Sequence, residues 1–578
     1  MKWSQLLCPE RLNKPGQESE NEELDLNPFE RDYYTIVTSP YFRRLQRKTQ
    51  VYVLDQNDYS RNRLTHSLEV SAIAEIMGKR VAKNIQERET DLPEHFSEDL
   101  SKVLRCAGLL HDMGNPPFGH SGEEYIRGFF RDNEEGLRKN LSEQMWLDFV
   151  NFEGNAQNVR IVTKLGGSSN PKDGSSRGMH LTSAVINSII KYPCSSMVRK
   201  PKTGDEDKQK PEDEKELKSG DEGESKADNK GRPVRGKIGY YHSEEWIVTD
   251  MLPKKTGTKK GERLLRDPIM LLMEAADDIA YGTADVDDAV NKGLLSERQV
   301  EEVLKEVEFP PECDNLEKKL QYVRERSMVE AIATFDNHYP EIMSGDYEGE
   351  LVDENHCKLS ELKKLLTIIF PKRDQDAEVF INSKKKIYDI LDRLIQVVTN
   401  PKPSFSEYLI KKNLDQFIEK AEDEVYYETK LRKYNKGNKD QETLYHQYMA
   451  VVDFVSGMTD SYVSIFYDEL FSDSHAKKEM LEYKNGCLKK ITHAYDFSSA
   501  KKALAELGYV DQWEDYEMAT IFRSYFYNVN VREAYGANAY MRNLYRKNRS
   551  MLLDGFHEVL TSKEIERLDR ELIEVDNA

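Results

Sequence analysis

The sequence predicts a mainly α-helical protein with at most short β hairpins. Three observations carry that expectation. Apolar residues recur at helical spacing, two-residue alternation is nearly absent, and helix start and stop signals bracket the periodic runs. In the first run Leu68, Ile73, Ile76, Met77 and Val81 fall near helical spacing. In the second the pattern is Leu100, Val103, Leu104, Ala107 and Leu110, with an end expected at Gly114 and stop signals at Pro116 and Pro117. A third run opens at Asp267-Pro268, an N-cap followed by proline at the first helical position. It carries Ile269, Leu272, Met273, Ala276 and Ile279. Further helices rich in tyrosine and lysine are expected from about 300 to 578. The strand-like hints are QVYVL at 50–54 and KIGYY at 237–241; neither an internal repeat nor a sustained heptad is visible.

A chain of 578 residues exceeds one simple core, so two or more packed units are expected. Its formal net charge of −20 argues against bulk attraction to nucleic acid or an anionic membrane. An anionic ligand must then be held by a local positive site, either a metal ion or clustered arginines. The six cysteines include no CxxC pair, which disfavours a zinc ribbon, a thioredoxin-like site or a disulfide framework. No apolar run reaches the ~18 residues of a membrane span, and the first residues lack a signal-peptide run. A cytoplasmic protein is expected. Residues 201–230 are dense in charge and nearly free of large apolar side chains, so a mobile insertion is expected at about 198–236. KYNKGNKDQ at 433–441 reads as a shorter loop.

Four residues suggest a metal site: His66, the adjacent His111-Asp112, and Asp277. Mixed imidazole and carboxylate donors suit Mn, Fe or Ni, with Mg partly accommodated. Four protein donors leave coordination positions for water and a phosphate oxygen. Any one of these residues alone is better read as a cap or a buried hydrogen-bonded group. Asp277, Tyr281 and Asp285 are spaced i, i+4, i+8 and share one helix face; for Asp285 or Asp288 alone, a solvated stripe competes. His120 and Glu123 are three apart at a helix start, where the carboxylate can orient the imidazole and raise its pKa. Arg63, three residues before His66, offers a guanidinium fork for phosphate. Arg43, Arg44, Arg47 and Lys48 form a basic run that is equally a solvated face.

RLTHSLEV at 63–70, GLLHDMGNPPFGHSGE at 108–123 and EAADDIAYGTADVDDA at 274–289 together resemble the HD-domain dGTP triphosphohydrolase family. So do NPFERDY at 28–34, FRRLQRKTQV at 42–51, FEGNAQ at 152–157 and the island DFVSGMTDSY at 453–462. The likeness is strong from about 28 to 290 and patchy beyond. It implies an HD-domain helical core at 1–300. A helical C-terminal region at 301–578 would complete the pocket and make oligomer contacts. It also implies metal-dependent hydrolysis of dGTP, with other dNTPs in range, to deoxynucleoside and inorganic triphosphate. The implied ligands are His66, His111, Asp112 and Asp277, holding Mn, Mg or Fe; Asp277 is taken over Asp278 for its spacing to Tyr281. Tyr281 and Asp285 would line the nucleotide pocket, and Gln50 would read the sugar 3′-hydroxyl. Asn155 would bind substrate or cap a helix. His120, tuned by Glu123, would serve the departing 5′-oxygen, with a general-acid and a nucleophilic role both open. Relatives form oligomers, often hexamers, and some respond to single-stranded DNA; the basic-aromatic tract at 541–551 is a weak pointer to either. The competing readings are another HD phosphatase or phosphodiesterase, and a nucleic-acid-binding nucleotide sensor.

Overall fold

The computed structural model describes residues 1–12, 26–50, 60–167, 178–197, 237–352, 358–373, 377–401, 405–420 and 439–471. The expected insertion at 198–236, nearly all of QVYVL, most of the 433–441 loop and the 541–551 tract lie outside them. The described chain is helical apart from one two-stranded antiparallel hairpin, β1 (Lys259–Lys260) and β2 (Arg263–Leu264). At KIGYY a single bridge pairs Tyr240 with Ser195.

Three of the helices that frame the site start on a capping side chain. Helix α1 (Pro28–Thr38) opens with proline and a capping box, in which the Asn27 side chain accepts from Phe29 N and Glu30 reaches back to Asn27 N. Helix α2 (Arg63–Gln86) is capped by Asn62 through Thr65 N. Helix α3 (Phe96–Leu110) ends at Leu110, and His111 to Gly114 form a turn, so the stop falls one turn before Gly114. Helix α4 (Gly119–Asp132) and helix α5 (Gly154–Arg160) follow. Helix α6 (Pro268–Asn291) starts as the sequence predicts, with Asp267 accepting from Ile269 N at 2.7 Å.

Helices α2 and α3 pack along their lengths, and α6 lies across both. Val70, Ile73, Ala74, Met77 and Val81 of α2 are buried against Leu100, Val103, Leu104, Ala107 and Leu110 of α3. At about 1.5–3 kcal/mol per large apolar side chain, this burial outweighs any difference in helix propensity. Leu68 and Ile76, on the opposite side of the wheel from that stripe, are 47% and 54% exposed. Helix α7 (Leu316–Asn337) and helix α8 (Leu359–Arg373) also pack against α6.

The chain forms two compact units. One is Met1–Asp392 with Gln416–Ser464 and contains every element named above, together with helix α9 (Lys439–Ser456). The other is Arg393–Asp415 with Ile465–Ala578, and in it Glu407 accepts from Arg393 and Asn400, each at 3.1 Å.

Candidate active site

The first turn of α2, the end of α3 and the middle of α6 bring His66, His111, Asp112 and Asp277 together. His66 Nε2 lies 3.2 Å from Asp277 Oδ1, and His111 Nε2 lies 3.5 Å from both Asp277 Oδ1 and Asp112 Oδ2. The two imidazoles meet edge to face with centroids 5.3 Å apart. One donor atom each from His66, His111 and Asp112 fall within 4.8 Å of one another. His111 Nδ1 is 2.8 Å from the Gly108 carbonyl and donates to it, which fixes the tautomer and directs the Nε2 lone pair inward. That Nε2 is buried without a protein hydrogen bond. An orphaned imidazole lone pair facing two carboxylates is what a divalent cation satisfies, so the donor set fits the metal the sequence suggests.

The electrostatics around the carboxylates agree. Burial alone would raise the Asp277 carboxyl, but His111, His66 and Lys191 reverse this and hold it below its usual range. Asp112 is likewise held down against burial, by Arg63 and His111. Arg63 Nη1 donates to Asp112 Oδ2 at 2.6 Å, and Asn115 donates to Oδ1. The neighbouring Asp278 is engaged by Lys363 of α8 at 2.9 Å. Of the doublet, Asp277 therefore faces the imidazoles.

Farther along α6, Asp285 is fully buried, both its oxygens lack a protein hydrogen bond, and burial pushes its carboxyl up to about 7. Asp288 instead binds Arg61, at 2.5 Å. Tyr281 is half-buried between Asp277 and Asp285 on the helix.

The turn HDMGNPPFGH explains its own composition. Phe118 and Gly119 both take left-handed φ, 63° and 58°, and a Cβ at Gly119 would sit 2.8 Å from Arg63 Nη2. A Cβ at Gly114 would lie 2.1 Å from the Gly154 carbonyl. The turn therefore packs on FEGNAQ and delivers His120 at the start of α4. His120 Nδ1 is 3.0 Å from Glu123 Oε2; the imidazole is 58% exposed and the carboxylate is buried. Glu123 Oε1 accepts Gly154 N at 2.8 Å. Burial would raise Glu123, but His120, Arg127 and Lys237 outweigh it and hold the carboxyl at about 2.

Asn155 donates to Glu153 at 2.9 Å and caps no helix end. Through Glu153 it joins Arg127 and Lys237, at 3.0 and 3.6 Å, next to Glu123. Gln50 is half-buried, and its Oε1 is buried without a hydrogen bond. Of the basic run, Arg43 and Arg47 are exposed and Arg44 lies over the Tyr41 ring, whereas Lys48 is buried. Burial, then Arg44, lower the Lys48 ammonium to about 7.

Sequence reasoning missed Lys191, 4.0 Å from Asp277, and Lys237. Each is an ordinary lysine beside a charged insertion, and nothing local marks it.

A helical bundle that closes a His, His-Asp, Asp cluster in this way has the character of an HD-domain protein, and the HD domain family model matches residues 63–162. The relatives extend far beyond that segment. A "deoxyguanosinetriphosphate triphosphohydrolase-like protein" of Listeria monocytogenes serovar 1/2a is 34% identical over 505 residues, covering 81% of this chain and 99% of the relative. A protein of the same name from Pseudomonas aeruginosa is 31% identical, over 80% of this chain and 97% of its own length. A "deoxyguanosinetriphosphate triphosphohydrolase" of Enterobacter sp. is 27% identical, over 80% and 97%. The chain belongs to the deoxyguanosinetriphosphate triphosphohydrolase-like family. Among the described residues no helix is long and apolar enough to cross a membrane.

Proposed function

We propose that this protein hydrolyses dGTP, with other dNTPs as lesser substrates, to deoxynucleoside and inorganic triphosphate, dependent on a divalent metal ion. The observation that carries this reading is the cluster of His66, His111 and Asp112, with Asp277 against both imidazoles, inside a chain that aligns over 81% of its length with a relative named as triphosphohydrolase-like. His66, His111, Asp112 and Asp277 would hold Mn, Mg or Fe. In such a donor set the ion supplies Lewis acidity and lowers the pKa of water.

The chain's own residues would do the rest. Arg63, already pointed at the site by Asp112, would neutralise charge developing on the phosphate. His120 would give a proton to the departing 5′-oxygen, with Glu123 orienting the imidazole through Nδ1. Gln50 Oε1 and Asp285 would accept from the sugar, Tyr281 would pack against it, and Asn155 would help order the acidic group beside the phosphates. The region after 301 would complete the pocket, a role supported by Lys363 on Asp278 and by Asp460 on Thr49. A homo-oligomer, a hexamer being the form the family resemblance implies, and a single-stranded DNA or nucleotide effector complete the proposal, with the cytoplasm as its setting.

Incubation with each dNTP and with GTP, plus manganese or magnesium, and ion-exchange separation of products tests this. Deoxyguanosine and intact triphosphate from dGTP, abolished by chelator, are expected. Orthophosphate or monophosphate would move the phosphatase or phosphodiesterase reading ahead. DNA binding without turnover would favour the sensor.

A further inference from the structure

We propose that Asp460 is a positioning residue that sets two substrate-facing side chains at once, Gln50 and His120; the inference rests on the function proposed above. Asp460 is 4% exposed and opens the helix Asp460–Phe471. Its carboxylate turns away from that helix and reaches two distant segments. Oδ2 accepts the Thr49 backbone N–H at 2.9 Å and also the Thr49 hydroxyl. Oδ1 accepts the Phe118 backbone N–H at 2.9 Å. Thr49 immediately precedes Gln50, and Phe118 lies two residues before His120.

Both attachment points need holding. Phe118 sits at φ 63°, which is unfavourable for a bulky residue and persists only where surroundings fix it. The bond from Asp460 is one such constraint, on the turn that aims His120. Gln50 carries a buried amide oxygen with no protein hydrogen bond, an acceptor suited to a donor on the ligand. Charge-assisted bonds to backbone N–H groups are strong and directional. The same three segments are tied a second time by Lys48, whose Nζ donates to the carbonyls of Asn115 and Ser456 at 2.5 and 2.9 Å. One carboxylate thereby links the end that recognises the sugar to the end that handles the proton. A carboxylate that merely stapled the fold would lower stability without changing which sugar is preferred.

The test compares kcat/KM for dGTP and 2′,3′-dideoxyguanosine triphosphate in the wild type, Asp460→Asn and Thr49→Val, alongside metal affinity and thermal unfolding. The wild type should prefer dGTP. Asp460→Asn, which keeps one acceptor oxygen for two attachments and loses the charge, should slow both nucleotides and cut kcat/KM for dGTP further, by about tenfold or more, the scale set by small misplacement of reacting groups. The dGTP preference should therefore shrink, with metal affinity unchanged. Thr49→Val, which loses only the hydroxyl bond, should narrow the preference with little effect on the dideoxy analogue, and it keeps the inference testable where Asp460→Asn fails to fold. Equal losses on both nucleotides, or a wild type that treats them alike, would overturn the inference. Triphosphate release from neither nucleotide by the wild type would sink the proposed reaction instead. Equilibrium binding of the same two nucleotides would then decide the Asp460 question by itself.

Discussion

Two buried polar clusters lie within the same compact unit, and they use the same residue types to opposite ends. In one, Arg160 directs Nε and Nη2 onto Asp453 and Nη1 onto Ser243 and Glu244, all at 2.8–3.0 Å, while Gln157 donates to Asp453 as well. Asp453 and Arg160 are each about 1% exposed at the side chain and answer each other inside the protein. In the other, His111 Nε2 and both oxygens of Asp285 are equally buried but meet no protein hydrogen bond. A buried polar group without a partner costs stability. The first cluster is a staple; the second keeps an unfavourable state that a ligand can relieve. Burial and charge alone do not separate the two, and the first also keeps Gln157 Oε1 without a hydrogen bond; what separates them is that the buried carboxylate of Asp453 is met on both oxygens and that of Asp285 on neither.

The largest effect should come from the unsaturated cluster. Asp277→Asn is expected to lower turnover at least about 10³-fold, the scale of losing transition-state electrostatic stabilisation, and to weaken metal binding measured by calorimetry, with little loss of folding stability. Arg160→Met should do the reverse. Removing one partner of a buried pair leaves Asp453 and Glu244 uncompensated and should cost about 3–5 kcal/mol in urea denaturation, while metal affinity stays close to wild type. Similar behaviour of the two variants would dissolve the comparison.

His120→Ala should reduce kcat by about 10²–10⁴, the range for a positioned acid or base, without changing metal affinity. Its partner gives a pH test. Glu123 is held at about 2 in the folded protein against an ordinary 4.5. Its contribution to stability is therefore fully present above 4.5 and lost as pH falls from 4.5 toward 2. Wild-type stability should drop across that window, and Glu123→Gln should lack that part of the slope in acid titrations followed by circular dichroism. The smallest effect is expected at Asp278. Bound to Lys363, it should tolerate Asn with turnover within about threefold, since partly exposed ion pairs are worth little. A loss as deep as that of Asp277→Asn would exchange the roles of the doublet.

Much of the site was legible because its signals are local. The i, i+4 spacing on α6, the His-Asp pair at the end of α3 and the His120–Glu123 step on α4 are each written within a few residues. The caps at Asn27, Asn62 and Asp267 and the glycines of the HDMGNPPFGH turn are local too. What stayed hidden depends on distant pairing. Lys48 meets Ser456 and Thr49 meets Asp460 across more than 400 residues. DFVSGMTDSY stood out as an island, yet its two aspartates acquire meaning only in space, one on Arg160 and the other on Thr49 and Phe118. On α2 the apolar pattern marked a helix, although two of its members, Leu68 and Ile76, turn out exposed. KIGYY has strand composition, but among the described residues it forms one bridge, Tyr240 to Ser195.

The central claim is that this site cleaves between the α-phosphorus and the 5′-oxygen of a deoxynucleotide. Turnover of dGTP in ¹⁸O-labelled water, with products read by mass spectrometry, tests it most directly. The label should appear in the released triphosphate, with unlabelled deoxyguanosine. Label in deoxyguanosine, or in orthophosphate released with dGDP, would contradict the account.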